Sequence, residues 1–273
     1  MTIEHHDFRR PPPARPMAPR RFGSMRTTMA LILREISTAY GATPGGYLWA
    51  VAEPVASIFL LTVVFSYSFH NPPMGVNFAI YYATGMLPFL MFTSVANKVA
   101  MTLRFSKPLL AYPAVTFVDA ILARFLLTVA TDLLVYTLVL LAICFMFDTR
   151  TIAVIPGIAL SFAMAAALGL GIGTLNCFLF SLFEAWVSMW SILTRPLVII
   201  SCVLFPLSAV PEPFRGYLWY NPLVQIVGKM RSSFYPNYDD SYVSLTYVFG
   251  LALVALLLGL ILLARYYRYI INV

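Results

Sequence analysis

TIAVIPGIALSFAMAAALGLGIGTLNCFLFSLF, residues 151–183, runs for 33 residues without a charged side chain. A bilayer core about 30 Å thick is crossed by roughly 20 mostly apolar helical residues, so this stretch exceeds one crossing. Gly169, Gly171 and Gly173 sit in its middle. No strand pattern precedes them, and the Gly-x-Gly-x-x-Gly spacing of a dinucleotide loop is not met. They read instead as small residues that let two helices approach closely.

Five more uncharged or nearly uncharged runs flank it: Tyr47–Phe69 with Glu53, Asn71–Asn97, Phe125–Phe147 with Asp132, Ala185–Val210 with Arg195, and Val243–Ala264. The composition agrees. The 273 residues are 60% hydrophobic and only 11% charged, and mean hydropathy is +0.82. A soluble chain carries about 25% charge, so most of this surface must face lipid. The expectation is an all-α, polytopic membrane protein with six transmembrane helices. The net charge of +7 is then a question of sidedness rather than of nucleic-acid binding. With the amino terminus inside, thirteen basic residues lie inside: Arg9, Arg10, Arg15, Arg20, Arg21, Arg26, Arg34, Lys98, Arg104, Lys107, Arg124, Arg265 and Arg268. Four lie outside, Arg150, Arg215, Lys229 and Arg231, beside Asp148, Glu212, Asp239 and Asp240. The positive-inside rule therefore predicts two cytoplasmic termini.

Residues 1–23 form a proline- and arginine-rich cytoplasmic tail with nothing to pack, expected to be disordered, and they lack the apolar region of a cleavable signal. In residues 24–46, Met25, Met29, Ile32 and Ile36 recur at helical spacing, which predicts an amphipathic interfacial helix and linker. The six-helix transmembrane unit is expected over 47–267 and a cytoplasmic tail over 268–273. Outside, 211–242 is too polar to cross the membrane. Its prolines and its aromatics, Tyr217, Trp219, Tyr220, Phe234, Tyr235 and Tyr238, predict short re-entrant helices before the last span, one of about three turns over Val224–Phe234.

The soluble catalytic apparatus is missing. There is no His-Glu-x-x-His, no Gly-x-Ser-x-Gly and no phosphate loop, and the Gly228–Lys229 pair lacks the rest of that motif. Cys144, Cys177 and Cys202 lie in apolar runs, and their spacing supports neither a disulfide framework nor a metal site. Charges within spans cost at least about 2.5–3.5 kcal/mol at the bilayer centre, which singles out Glu53, Asp132 and Arg195. Asp132 lies deepest and is expected to pair with a polar group on a neighbouring helix. Aromatics such as Tyr47, Trp49, Phe59, Tyr67, Tyr81, Phe89, Trp186 and Trp190 mark a candidate path, since aromatic faces hold sugar rings without fixing any one of them.

LILREISTAYG (31–41) followed by GYLWAVAEP (46–54), FSKPLLAYPAVTFVDAILAR (105–124) and YNPLVQIVGKMRSSFYPNY (220–238) occur in this order. Together they resemble permeases of the polysaccharide-export branch of ABC transporters, and most nearly the capsular polysaccharide export permeases of Gram-negative bacteria. Gln225 and Gly228 depart from that pattern, where a histidine and an acidic residue are expected. The resemblance implies a homodimer in the bacterial inner membrane that exports a lipid-linked polysaccharide. It also implies a separate ATPase subunit, which would carry ATP and magnesium, so this chain itself needs no cofactor and is not an enzyme. A periplasmic adaptor and an outer-membrane export protein are further implied partners. The inner segment 104–115, with Ser106, Lys107, Pro108, Leu109, Leu110 and Tyr112, would couple to the ATPase beside Arg34 and Glu35. Asn221 and Arg231 stand out in the outer segment, Arg231 either as a contact for an acidic saccharide or lipid phosphate or, equally, as half of a structural ion pair. The rival readings are the same machinery with O-antigen, lipid or drug as cargo, and a proton-coupled secondary transporter working through Asp132.

Overall fold

The computed structural model describes residues 28–35, 46–110 and 116–272; of residues 46–47, 107–110 and 267–272 it describes the helical backbone. Helix α1 covers 28–35. The others are α2 (Gly46–Ser68), α3 (Phe78–Ala100), α4 (Thr102–Leu110), α5 (Phe117–Met146), α6 (Ile155–Leu182), α7 (Glu184–Ile200), α8 (Phe214–Trp219), α9 (Pro222–Ser232) and α10 (Leu245–Asn272). No strand occurs among the described residues. The tail 1–23, the end of the interfacial segment, Tyr112 and the rest of 111–115 lie outside the described residues.

Among the described residues five helices, α2, α3, α5, α6 and α10, are long and apolar enough to cross a membrane. The sequence expectation of six meets a shorter fifth member. Helix α7 has 17 residues, a rise of about 25 Å, and stops at Ile200 although the apolar run continues to Val210. Just beyond its end Cys202 takes φ 55, in the left-handed region where L residues are disfavoured. The chain then turns through a single 3₁₀ turn at Leu207–Ala209.

Helices α3 and α6 form the centre. The best membrane window of α3 is 78% buried and that of α6 56%, against 11% for α2. Helix α6 lies between α3 and α10, and its glycines explain how. A Cβ on Gly171 would stand 2.3 Å from the Ala252 carbonyl oxygen of α10, and one on Gly173 2.9 Å from the Ala96 carbonyl of α3. Gly169 would meet Val95 at 2.9 Å. Backbone thus lies against backbone on both sides of α6, as the small-residue reading predicts.

Ends are sealed locally. Asn77 caps α3, and Thr116 with Asp119 forms a capping box on α5. Asn221 caps α9, whose first residue is Pro222, a position where the missing N–H costs nothing. Helix α9 is buried between α3 and α6. The Ser161 hydroxyl donates to the Ile226 carbonyl at 2.8 Å, and the Val154 amide donates to Ser233.

Candidate functional site

The face that the charge distribution predicts to lie inside is built on α4. Only Met101 separates it from α3. Its buried side presents Thr102, Leu103 and Ser106, while Arg104 and Phe105 point outward, Phe105 64% exposed. Ser106 therefore faces the bundle, near Ala120 and Ala123, and is not open to a partner as a coupling residue must be. Arg104 and Phe105 occupy the open positions instead. Lys107, Pro108, Leu109 and Leu110 continue the same helix. Glu35 of α1 pairs with Arg124 of α5, whose Nε donates at 2.9 Å, and the Arg124 guanidinium lies 4.9 Å from the centre of the Phe105 ring. One arginine thus ties α1, α4 and α5 together. Arg34 is exposed on the same short helix.

A cavity of about 310 Å³ opens above this face, bordered by Glu35, Asn97, Lys98 and Arg124. Lys98 of α3 approaches Asp132 of α5 at 3.7 Å, so the deepest acidic residue has a cationic neighbour on another helix. The next residue to Lys98 holds α7: Trp190 Nε1 donates to Asn97 at 2.8 Å, and Trp186 Nε1 donates to Asn176 of α6 at 3.1 Å. Glu53 and Arg195 are both exposed, on α2 and α7.

The aromatic candidates divide in two. Trp49, Phe59 and Tyr67 stand out from α2 at 71%, 67% and 90% exposure, and Trp186 and Trp190 are half-buried on α7. Tyr81 and Phe89 are enclosed in the bundle and cannot line an open path within this subunit. Tyr47 is among the residues whose side chains are outside the description.

For Arg231 in the outer segment the geometry is that of a structural residue, with carbonyls in place of the acidic partner. Its side chain is fully buried. Nη1 donates to the carbonyls of Cys202 at 2.8 Å and Phe205 at 3.1 Å, Nη2 donates to Val203 at 2.7 Å, and the guanidinium lies 4.6 Å over the Tyr81 ring. An arginine so engaged clamps the loop that ends α7; Nε has no hydrogen-bond partner, but burial shuts the whole group off from a saccharide. Gly85 makes room for it: a Cβ there would stand 2.9 Å from the Val203 carbonyl and 3.1 Å from Arg231 Nη2. Asn221 is likewise structural. Its carbonyl oxygen accepts from the Leu223 amide, and its Nδ2 donates to Ile200 at 3.2 Å, joining α9 to the end of α7.

Gln225 bridges α8 and α10, donating to the Trp219 carbonyl and accepting from the Ser244 amide. Gly228 admits the Tyr242 hydroxyl, which a Cβ would meet at 2.1 Å. Both departures from the family pattern thus have packing reasons. In this same segment a cavity of about 560 Å³ is lined by Glu212, Arg215, Trp219, Tyr238 and Asp239 among others. Beside it Lys229 donates to Asp240 at 3.0 Å. Partial burial raises the Asp240 carboxyl, but Lys229 and Ser232 outweigh it and leave the group below its ordinary range.

The described helices thus comprise a buried centre, two flanking helices with little buried surface, and a short amphipathic helix at one end. The family model for ABC-2 type transporters matches residues 26–235. The chain belongs to the ABC-2 type transporter family. Among ABC-2 relatives it is 34% identical to the polysialic acid transport protein KpsM of Escherichia coli, over 86% of this chain and 92% of that one. It is 25% identical to the capsule polysaccharide export inner-membrane protein CtrC of Neisseria meningitidis serogroup A, over 88% and 91%. It is 23% identical to the capsule polysaccharide export inner-membrane protein BexB of Haemophilus influenzae, over 88% and 91%. As an ABC-2 permease this chain is a membrane transport subunit. Sequence reasoning missed Asn97 and Gly85, because each matters through a partner far away in the chain.

Proposed function

We propose that this chain is the permease subunit of an ATP-driven exporter that carries a lipid-linked capsular polysaccharide from cytoplasm to periplasm. The observation that carries the reading is near full-length similarity to KpsM, with capsule export proteins of two further genera covering the same span. The working unit is a homodimer in the inner membrane, with both termini cytoplasmic. A separate ATPase binds ATP and magnesium, and a periplasmic adaptor and an outer-membrane protein continue the route.

The geometry suits this division of labour. The exposed side of α4 offers the ATPase an apolar and basic knob. A push on α4 passes through Met101 into α3, the most buried of the crossing helices, and Trp190–Asn97 carries it onward to α7. Rigid packing transmits such a displacement as a body movement rather than absorbing it. Helix α2, with its exposed Trp49, Phe59 and Tyr67, and helix α7, with Trp186 and Trp190, supply aromatic walls along which a polymer slides.

Deleting the gene from its host tests the proposal. Polymer should vanish from the cell surface, accumulate in the cytoplasm and return to the surface on complementation. Unchanged surface polymer in the deletion strain would refute it.

A further inference from the structure

The cavity of about 560 Å³ in the outer segment has no part in the reading above. Its size falls among small-ligand pockets, roughly 300–1,000 Å³. One part of its wall is aromatic and tied together. The Trp219 indole N–H donates to the Tyr242 carbonyl at 2.8 Å, and the Tyr242 and Tyr238 hydroxyls share a hydrogen bond of 2.7 Å. Trp219 is still 51% exposed, so much of its ring stays open.

The rest of the lining carries more negative than positive charge. Two carboxylates, Glu212 and Asp239, border the cavity with one cation, Arg215. That arginine is largely spent on its own loop. Its Nε donates to the Val210 carbonyl at 3.2 Å and its Nη2 to Ser208 at 2.9 Å, while Nη1 stays 3.6 Å from Glu212. Asp239 pairs with no cation among the described residues. The Ser241 amide, and after it the Ser241 hydroxyl, hold the Asp239 carboxyl below its ordinary range, so it is a pure acceptor at neutral pH. Lys229 beside the cavity is committed to Asp240.

The aromatic part depends on the two residues at which this chain departs from the capsule-permease pattern. Gln225 donates to the Trp219 carbonyl at 3.1 Å. Gly228 leaves the space that the Tyr242 hydroxyl occupies, and a side chain there would displace Tyr242 together with the carbonyl that holds Trp219. A sugar ring has C–H faces that lie on an indole and hydroxyls that donate to carboxylates. A sugar with a carboxylate of its own would instead meet two like charges, which is discrimination by repulsion.

We infer that this cavity binds one sugar unit of the exported polymer, a unit that presents hydroxyl or ammonium donors and carries no carboxylate. Trp219 lies against the ring, and Glu212 and Asp239 accept from its donors. The inference rests on the exporter reading above and adds a selectivity to it: neutral and amino sugars are taken, uronic and sialic acids are refused.

The test is saturation-transfer NMR on the full chain in nanodiscs, with empty nanodiscs as the blank. The probes are galactose, N-acetylglucosamine and glucosamine against glucuronic acid and N-acetylneuraminic acid. Signal should come from the uncharged or amino sugars and be severalfold weaker for both acids. Trp219→Leu should remove it. Glu212→Gln combined with Asp239→Asn, both at exposed positions, should raise the acids severalfold and abolish the discrimination. No signal from any probe above the blank overturns the inference. So does equal binding of the acids by wild type, or discrimination that survives in the double variant. If the sugars fail to bind while gene deletion still strips the cell surface of polymer, the pocket falls and the exporter stands. Surface polymer unchanged by the deletion overturns both.

Discussion

Replacing Arg231 by methionine removes the clamp on residues 202–205 while keeping a long side chain in place. Three carbonyls, those of Cys202, Val203 and Phe205, lose the donors that hold them at 2.7–3.1 Å. Each buried acceptor left unpaired costs about 1–3 kcal/mol, and the cation–π contact with Tyr81 is lost as well. Loop relaxation and relief from burying a charge act the other way, so a net loss of about 3–5 kcal/mol is expected. That is a large share of the roughly 5–15 kcal/mol available to a folded domain. At about 2–4 °C per kcal/mol for a chain of this size, the melting point should fall by roughly 6–20 °C. Arg231→Lys should fall in between, because one ammonium cannot reach three carbonyls at once. Thermal unfolding of the nanodisc-embedded protein, with limited proteolysis of the 201–210 loop, reads both effects. Arg104→Met, at an exposed position, should stay within about 0.5 kcal/mol of wild type. An Arg231→Met protein of unchanged melting point that has nonetheless lost export would refute the reasoning, because Arg231 would then act on the cargo and not on the loop.

Other perturbations separate the remaining parts. Gly171→Ala forces a Cβ against the Ala252 backbone and should cost about 1–3 kcal/mol of overpacking. Gly250→Ala meets nothing within 4 Å and should be neutral or slightly stabilising by the same melting assay. Phe105→Glu puts a charge on the exposed side of α4, and it should lower polymer exported per ATP hydrolysed with little change in stability; an unaltered ratio argues against coupling through that face. The carboxyl of Asp240 is depressed in the folded protein, so its contribution is full above its ordinary value of 3.8 and fades as pH falls below it. A variant retaining only Trp219 should therefore show an acid-induced emission change in that window, and Asp240→Asn should abolish it. Trp219 reports on this turn because its indole N–H donates to the Tyr242 carbonyl.

Local rules made part of this structure legible beforehand. Uncharged runs located the long helices, and the 169–173 glycines announced a helix packed closely on both sides. The outer run Val224–Phe234, expected to make about three helical turns, corresponds to α9, which starts two residues earlier at Pro222. The misreadings share a cause: composition records what a residue tolerates and not where its partner lies. Counting uncharged residues extended α7 to Val210, but the backbone turns at Cys202, where no glycine or proline signals it. Arg231 read equally as a ligand for an anion and as half of an ion pair, because an exposed outer arginine can be either. Its partners are carbonyls 26–29 residues earlier in the chain, brought near by the end of α7. Tyr81 and Phe89 read as path residues because aromatic character gives no direction, and only the central position of α3 encloses them.

The most direct measurement of the central claim is transport into inside-out membrane vesicles that contain this chain and its partner ATPase. Lipid-linked polysaccharide supplied outside should enter the lumen only with hydrolysable ATP, at a rate unaffected by a protonophore, and not at all in vesicles lacking this chain. Entry that proceeds without ATP and stops on adding the protonophore would contradict the account.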